Sequence, residues 1–391
     1  AALGLPWPAA AALGQGPWLG GGGIRSLPVR WPHLQAGGGL QLEPWQGLLP
    51  SATSDQGFSA ALRMEVTRCA ELGPRRRNLR DLLDCCGQRE TASLVCDVVP
   101  ALLAGRIRAL EALPGWRQAP EAGEVHAQHL QAFWQIRLAE LLLFGVEDGL
   151  QGFTEAVRGA ARLQQDTHLL MAKALQRLQG ERAAGVGQDF ADRWLDDFLS
   201  SWIGSETLMA QHLACAHGLP QGIVEPACDA AELCREVAAD VQGLCRDVSG
   251  RVPVVRLEPR GAPCLPCIPS YLRYVLLELV KNSCHATLRA CPSDPELQLR
   301  PVQLTVQADD RWLAVSVCDR AGGMPAHAAG RAWSYLYSAG RSKDPLRTSQ
   351  DCEPTPLAGY GVGLPLARLY ARHLGGSLRL ASTAGRGTGA R

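Results

Sequence analysis

The apolar residues of this 391-residue chain follow one spacing before residue 217 and a mixture of spacings after it. From about Phe58 to His217 they recur every three or four positions, which is the period of amphipathic helices. Residues 126–144 and 153–178 are further long helix candidates. Several long helices with short connections predict an up-down bundle. Two stripes mark the buried faces: Val95, Val98, Val99, Leu102, Leu103, Ile107 and Leu110, and then Phe190, Trp194, Phe198 and Trp202.

Beyond a predicted hinge at residues 218–226 the pattern mixes helices with strands. Residues 230–246 have helical spacing, residues 252–257 are β-branched, and residues 302–306 and 313–319 alternate as the two strands of a hairpin. A helical half followed by a mixed half predicts an α+β chain of two domains. We expect a helical bundle over residues 57–217. An α/β sandwich with a mixed sheet and helices on one face follows over residues 218–391.

The first 56 residues have a different composition, rich in Gly, Pro, Ala and Leu. No acidic residue precedes Glu43, and Arg25 and Arg30 are the only basic residues before it. This composition is typical of a transit peptide and also of a disordered tail, and it does not separate the two. We expect no packed structure in this segment.

Charge and cysteine content exclude several classes of protein. The formal net charge is +1, so no overall field favours nucleic acid or an acidic membrane surface, and no apolar run reaches the length of a membrane span. The 14 cysteines are scattered through a long chain, unlike the framework of a small disulfide-rich domain. Cys264 and Cys267 form a CxxC pair, but no second pair has zinc-site spacing. We interpret the cysteines as small apolar thiols in a reducing compartment.

One helix candidate, residues 269–287, carries polar residues on an otherwise apolar pattern. Glu278, Asn282 and His285 lie three or four positions apart and therefore share a face. The amide oxygen of Asn282 is a suitable ligand for Mg²⁺, which takes oxygen ligands and keeps several waters. The Glu278 carboxylate could orient or deprotonate an attacking hydroxyl.

Glycine-rich turns follow this helix at three places. Asp319 ends an alternating strand and precedes Gly322 and Gly323, so its carboxylate could read a base amino group while the backbone passes close by. Residues 359–364 place spaced glycines before a helix, where exposed amides and the helix dipole favour phosphate. Residues 385–388 form a last glycine turn after a strand at 378–382.

The order of these motifs resembles the ATP-binding domain shared by histidine kinases, DNA gyrase, mismatch-repair ATPases and the heat-shock chaperone. Four segments are similar to those of the mitochondrial protein kinases that act on pyruvate or branched-chain 2-oxoacid dehydrogenases: ELVKNSCHAT, CDRAGGMP, SYLYSAG and LAGYGVGLPLARLYARHLGGSL. The likeness is strongest from about Tyr271 and traceable back to about Thr91. It implies a four-helix bundle and ATP-dependent phosphorylation of a serine that inactivates the dehydrogenase. It also implies a homodimer in the mitochondrial matrix that docks to a lipoyl-bearing core subunit.

The resemblance assigns roles position by position. Asn282 matches the Mg²⁺ ligand, Glu278 the general base, and Asp319 the carboxylate that reads adenine. Gly323 matches a glycine that allows close approach beside the base. Thr388 matches a threonine near the adenine pocket. The lid whose backbone amides hold the phosphates comprises Gly359, Gly361, Gly363 and Leu364.

The chain departs from the family at four places. Ala321 stands where the family has glycine, and it would be strained if that position needs a positive φ. His285 replaces an arginine, so a fixed charge becomes titratable. Trp202 and Glu206 replace two arginines of the bundle's inner face. The chain ends three residues after Thr388. From that we expect the closing strand to be missing and the sheet to lack an edge strand.

Other interpretations remain open. A histidine kinase needs a phosphoacceptor histidine followed by an acid, and none of the nine histidines is followed by Asp or Glu. A gyrase-like ATPase needs a transducer domain and a basic surface. A nucleotide-binding regulator without transfer activity is a further alternative. Between substrates, ELVKNS, YLYS and AGYGVGLP favour the pyruvate enzymes, whereas Tyr274 and LGGSL resemble the branched-chain enzymes.

Overall fold

The computed structural model describes residues 56–74, 82, 85, 87–143, 149–180, 185–261, 264–309, 312–337 and 361–391. The predicted leader, residues 1–56, lies outside these ranges except for Gln56, which begins the first helix. The described residues form two compact units that divide between Ile223 and Val224, whereas the sequence prediction placed the boundary after residue 217.

The first unit is helical throughout its described residues. The helices are α1 (Gln56–Leu72), α2 (Gln88–Glu111), α3 (Pro120–Leu143), α4 (Gly149–Leu163), α5 (Thr167–Gly180) and α6 (Gln188–Ala216), with a 3₁₀ turn at Trp116–Gln118. Helix α2 packs against α1, α3 and α6, while α4 and α5 each pack against α3 and α6. These pairings suit the predicted bundle, and its up-and-down four-helix order stays a prediction.

The two predicted apolar stripes meet the core to different extents. On α2 every member except Leu102 is buried. On α6 the stripe turns inward along the helix: Phe190 is 37% exposed, Trp194 is half-buried, and Phe198 and Trp202 are buried. The expectation that this whole aromatic stripe is core is therefore wrong at Phe190, which lies in the first turn, before the helix packs.

The second unit is a mixed sheet with helices, as the sequence predicts. The strand order is β2-β4-β5-β7-β6, with β2 and β4 parallel and the other pairs antiparallel, and β1 and β3 form a separate antiparallel pair. Its elements are β1 (Glu225–Asp229), α7 (Ala230–Ser249), β2 (Val255–Arg260), β3 (Cys264–Cys267), α8 (Pro269–Ala290), α9 (Asp294–Leu299), β4 (Val302–Ala308), β5 (Leu313–Cys318), α10 (Ala326–Arg331), α11 (Gly363–His373), β6 (Leu380–Thr383) and β7 (Gly387–Ala390).

Alternating residues of β4 fix which face of the sheet is covered. Val302, Leu304 and Val306 are fully buried, and β4 contacts α7 and α8. The strand residues between them are half-buried. Period-two alternation is the pattern of a sheet with one packed face, so the helices that carry the candidate site are held against this face.

The end of the chain corrects one expectation. Residues 387–390 were expected to leave the sheet without its closing strand, but they form β7, which pairs with β5 on one side and with β6 on the other. The four residues suffice because β7 is short and both of its neighbours are already in place. None of the helices in the described ranges is long and apolar enough to cross a membrane.

Candidate functional site

Helix α8 is the element on which the candidate site is built. Pro269 occupies its first turn, where a fixed φ and a missing N–H cost nothing. Its apolar face packs against α7 and α11, and the Tyr271 and Tyr274 rings lie 4.6 and 4.9 Å from the ring of Tyr370 on α11. Glu278 and Asn282 lie four and eight positions after Tyr274, so they share the face of the tyrosines, and packing against α11 sets where these polar residues point.

A buried carboxylate ties α8 to the end of β5. Asp319 is 8% exposed, and its Oδ1 accepts hydrogen bonds from the amides of Ala321 at 3.0 Å and Thr388 at 3.3 Å. The hydroxyl of Ser283, on α8, is a third hydrogen-bond partner. Burial raises the pKa of Asp319, and these three hydrogen bonds oppose the rise. The carboxylate is thus fixed in place beside the helix that carries Asn282.

The turn after Asp319 approaches the β6–β7 hairpin so closely that it requires glycine. Gly323 has φ 68°, and a Cβ there would overlap the carbonyl oxygen of Thr383. The Met324 amide donates to Ser382 Oγ at 2.7 Å, and that hydroxyl lies 2.9 Å from the hydroxyl of Thr388. Asp319, Gly323 and Thr388, predicted to surround the adenine, therefore share one hydrogen-bonded corner.

The described part of the predicted lid meets α8 from the other side. Gly361 has φ 75°, and a Cβ there would lie 2.8 Å from backbone atoms of Leu336 and Tyr337. The Leu336 amide donates to the Gly361 carbonyl at 2.9 Å. Gly363 and Leu364 are the first two residues of α11, where helix amides are free to bind an anion. Gly359 lies outside the described residues.

Glu278 lies between α8 and the start of α11. Its Oε1 accepts from Lys281 Nζ at 2.5 Å, and the two side chains are only 11% and 13% exposed. A Cβ on Gly363 would overlap the Glu278 carboxylate. The structure therefore places the predicted base against the predicted phosphate-binding turn.

Asn282 is exposed, and within the described ranges no group hydrogen-bonds its amide. It sits one residue from Ser283, which contacts Asp319, and one turn from Glu278, which contacts Gly363. Among the residues that the structure describes, no cluster of three or more His, Cys, Asp or Glu side chains could hold a metal ion. A magnesium ion held by one amide oxygen, nucleotide phosphates and water fits this arrangement, because Mg²⁺ keeps several waters and needs few protein ligands.

Two of the family departures have clear structural outcomes. Among the described residues Leu336 is the only non-glycine residue with positive φ, so Ala321 is not strained, and its amide binds Asp319. The positive φ angles in this turn fall on Gly322 and Gly323 instead. His285 is half-buried, and burial, followed by the charges of Arg289 and Lys281, lowers its pKa. The lowered pKa favours the neutral imidazole, whereas the arginine that it replaces in the family keeps its charge.

The other two departures lie in a buried polar cluster of the helical unit. Arg106 is 1% exposed and donates to His129 Nε2 at 3.0 Å, Gln164 Oε1 at 2.6 Å and Ser201 Oγ at 3.3 Å. Burial lowers the pKa of Arg106 to about 9, and the charge of Glu206 opposes this. Trp202 Nε1 donates to the Gln164 carbonyl at 3.1 Å. One guanidinium on α2 thus stands among the residues that replaced two arginines on α6.

The cysteines of the CxxC pair lie on β3. Cys267 is buried beside Cys228, and hydrogen bonding to that thiol together with burial raises its pKa. Burial likewise raises the pKa of Cys234 to about 12. Thiols with raised pKa values are poor nucleophiles.

Sequence reasoning missed three residues of the site. Lys281 was given no role, although its spacing of three from Glu278 is that of a helical ion pair. Ser283 was overlooked because a serine on an apolar helix face is unremarkable until its partner, Asp319, is known. Ser382 had no sequence signal, since its contact with Thr388 depends on the pairing of β6 with β7.

Two family models match this chain. Residues 267–391 match the histidine kinase-, DNA gyrase B-, and HSP90-like ATPase model, which covers α8 through β7. Residues 78–230 match the model described as mitochondrial branched-chain alpha-ketoacid dehydrogenase kinase. The first match lies within the mixed unit, and the second covers most of the helical unit and continues to residue 230 of the mixed one.

Relatives with curated names match at modest identity. The chain is 28% identical over 302 residues to a mitochondrial [pyruvate dehydrogenase (acetyl-transferring)] kinase of Arabidopsis thaliana, covering 75% of this chain and 81% of that protein. Isozyme 4 of Rattus norvegicus is 27% identical over 367 residues, covering 87% and 85%. Isozyme 4 of Rhinolophus ferrumequinum is 32% identical over 216 residues, which is 50% of this chain and 49% of that protein.

Proposed function

Because the chain belongs to the mitochondrial 2-oxoacid dehydrogenase kinase family, with an ATPase domain of the histidine kinase, gyrase and HSP90 type, we propose that it is a protein serine kinase. It transfers the γ-phosphate of ATP to a serine of a 2-oxoacid dehydrogenase and so inactivates it. Pyruvate dehydrogenase is the favoured substrate, since the similar curated proteins are named as its kinases.

One observation carries this proposal: α8 connects both halves of a nucleotide site. Ser283 hydrogen-bonds Asp319 on the adenine side, and Glu278 lies against Gly363 on the phosphate side. Asn282 lies between them in sequence, exposed and free of described partners. A helix with a purely structural role would not need a glycine on a neighbouring helix to leave space for its carboxylate.

The residues divide the work of binding. The Asp319 carboxylate accepts a hydrogen bond from the adenine amino group, and Thr388 and Gly323 form the adjoining corner. Asn282 supplies an amide oxygen for Mg²⁺, which when bound neutralises phosphate charge and orients the γ-phosphate. The phosphates lie on the backbone amides of the lid, made of Gly359, Gly361, Gly363 and Leu364.

The chemical step asks little covalent work of the protein. Phosphoryl transfer depends on positioning and on charge neutralisation. Glu278 orients the substrate serine and accepts the proton of its hydroxyl as the serine oxygen bonds to the γ-phosphorus, while the bond from that phosphorus to the β,γ-bridging oxygen breaks and ADP leaves. The low exposure of its side chain keeps competing water away from the carboxylate.

The test is incubation of the purified protein with γ-labelled ATP and each purified 2-oxoacid dehydrogenase, followed by phosphosite mapping. We expect serine phosphate on the pyruvate enzyme and loss of dehydrogenase activity. Asn282→Ala should weaken binding of Mg·ATP, which titration calorimetry with and without Mg²⁺ would show. Protein that binds ATP yet labels neither dehydrogenase is a regulator, and the kinase proposal would then be abandoned.

The branched-chain 2-oxoacid dehydrogenase is the second candidate substrate. The model that matches the helical unit carries the branched-chain description, and Tyr274 stands one turn before Glu278, as in the branched-chain enzymes that the sequence resembles. Because both dehydrogenases enter the same assay, the ratio of the two labelling rates decides between them.

Location and assembly extend the proposal. The similar proteins are named mitochondrial, and we place this protein in the mitochondrial matrix, as a homodimer that docks to the lipoyl-bearing core subunit of the complex. Sedimentation equilibrium, and pull-down with a lipoylated against an unlipoylated core domain, test the last two points.

A further inference from the structure

The carboxylate of Glu278 is bounded on two sides, by the ammonium group of Lys281 and by the Cα of Gly363. Lys281 contacts Oε1, and its side chain is as enclosed as that of Glu278 itself. An exposed Glu–Lys pair on a helix is worth a few tenths of a kcal/mol. A lysine that gives up its hydration to sit in this cleft instead fixes the direction of the carboxylate.

Gly363 bounds the other side. It is not among the described glycines with positive φ, so its backbone conformation is open to any residue. The space a Cβ would take there is occupied by Glu278 Oε2, Cδ and Cγ. The glycine is therefore required by the carboxylate. This differs from Gly361, where both a positive φ and the nearby backbone of Leu336 and Tyr337 exclude a side chain.

We propose that Lys281 and Gly363 are positioning residues for the Glu278 carboxylate: Lys281 fixes one oxygen, and the bare Cα of Gly363 leaves the space for the other at the start of α11. This rests on the proposed function, in which Glu278 is the general base. This arrangement places the Glu278 carboxylate beside the first backbone amides of α11, which are proposed to hold phosphate. Gly363 then serves the chemical step, and Lys281 is not a phosphate ligand.

Separate measurements of turnover and ATP binding test this assignment. Gly363→Ala should lower kcat about 100-fold, in the range of a lost general base. Lys281→Met should lower kcat about tenfold while the Kd for ATP stays within about threefold, and Lys281→Arg should recover most of the loss. The matched control is Lys173→Met, which removes the same charge from an exposed position on α5 and should change neither quantity.

A double-mutant cycle gives a readout that needs no activity. Gly363→Ala should lower Tm in the wild-type background, because the new methyl meets the carboxylate. In the Glu278→Ala background, where that carboxylate is absent, the same change should leave Tm nearly unaltered. Equal losses of Tm in both backgrounds would overturn the proposal.

Two further results would overturn it. One is a loss of ATP affinity greater than about tenfold in Lys281→Met, which would make Lys281 a phosphate-binding group. The other is failure of Lys281→Arg to recover turnover. If the wild-type protein transfers no phosphate at all, the proposed function fails, and the Tm cycle still decides whether Gly363 seats Glu278.

Discussion

The two units of this molecule each carry a polar cluster, and they treat it in opposite ways. In the helical unit Arg106 is almost fully buried and has three hydrogen-bond partners. In the mixed unit Asn282 is exposed, and no described residue engages its amide. Both clusters sit on helices whose other face is apolar core, so amphipathic pattern alone does not distinguish them.

The difference lies in whether the protein satisfies its own polar groups. A buried guanidinium is tolerated because neutral acceptors and the Glu206 charge compensate for lost hydration. Around α8, by contrast, Gly323 and Gly361 allow close approach of neighbouring backbone, Gly363 leaves space for the Glu278 carboxylate, and the Asn282 amide is exposed. A satisfied cluster indicates structure, and an open cluster lined by bare backbone indicates a ligand.

The largest effect that the comparison predicts is on turnover. Glu278→Gln keeps the size of the side chain and removes its basicity, so phosphate transfer should fall by about 10²- to 10⁴-fold. Single-turnover labelling of the dehydrogenase measures this, with ATP affinity as the internal control. Turnover within a factor of two of wild type would remove Glu278 from the chemistry.

A substitution in the buried cluster around Arg106 should lower the free energy of unfolding and leave nucleotide affinity unchanged. Arg106→Met leaves the buried acceptors on His129 and Gln164 without their donor and should cost about 1–3 kcal/mol of unfolding free energy, measured by urea denaturation. ATP affinity should not change. The control Arg108→Met removes an exposed arginine of the same helix that pairs with Glu111, at a cost of about 1 kcal/mol or less. Equal costs for both changes would contradict the account of a structural cluster.

The next largest effect is expected at Gly323, in the turn after Asp319. Gly323→Ala places a methyl against the Thr383 carbonyl at a positive φ. It should weaken ATP binding about tenfold or more, since the turn must move to relieve an overlap of a kind that costs about 1–3 kcal/mol. Gly322→Ala is the matched control, because Gly322 also has positive φ but open space around it. If the control is as damaging as Gly323→Ala, close approach is not the reason for the glycine.

A pH effect on ATP affinity should follow from Asp319. Burial raises its pKa, so the carboxylate takes up a proton at a higher pH than a free aspartate does, and ATP affinity should fall on acidification over that range. Its contribution to stability has the opposite sign: it is complete at low pH and is lost as pH rises through the folded-state pKa. Titration calorimetry from pH 7.5 to about 4.5 should show the acid limb of ATP affinity in the wild type. An unchanged limb in Asp319→Asn would assign it to another group.

Local features of this molecule could be predicted from the sequence, whereas contacts between distant segments could not. The sheet, the hairpin of β4 and β5, and the helix carrying Glu278 and Asn282 were predicted because periodicity and order are local signals. The contact between Glu278 and Gly363 was not predicted, because the two residues lie 85 positions apart and meet only once α11 packs on α8. The sequence made strain at Ala321 depend on a positive φ there, and the turn places its positive φ angles on Gly322 and Gly323 instead.

The smallest predicted effect tests that correction. Ala321→Gly should leave ATP affinity unchanged and lower stability by about 0.4–1 kcal/mol, because glycine adds freedom to the unfolded chain at a position where alanine is unstrained. Thermal denaturation with and without ATP measures both. A gain in affinity on restoring the glycine would show that alanine distorts the site.

The central claim is that α8 and the ends of β5 and α11 enclose Mg·ATP, and a crystal structure with Mg²⁺ and a non-hydrolysable ATP analogue tests it most directly. We expect the adenine amino group on the Asp319 carboxylate, the metal on the Asn282 amide oxygen, and the phosphates on the amides that begin α11. A nucleotide bound elsewhere, or an Asn282 side chain remote from the metal, would contradict the account.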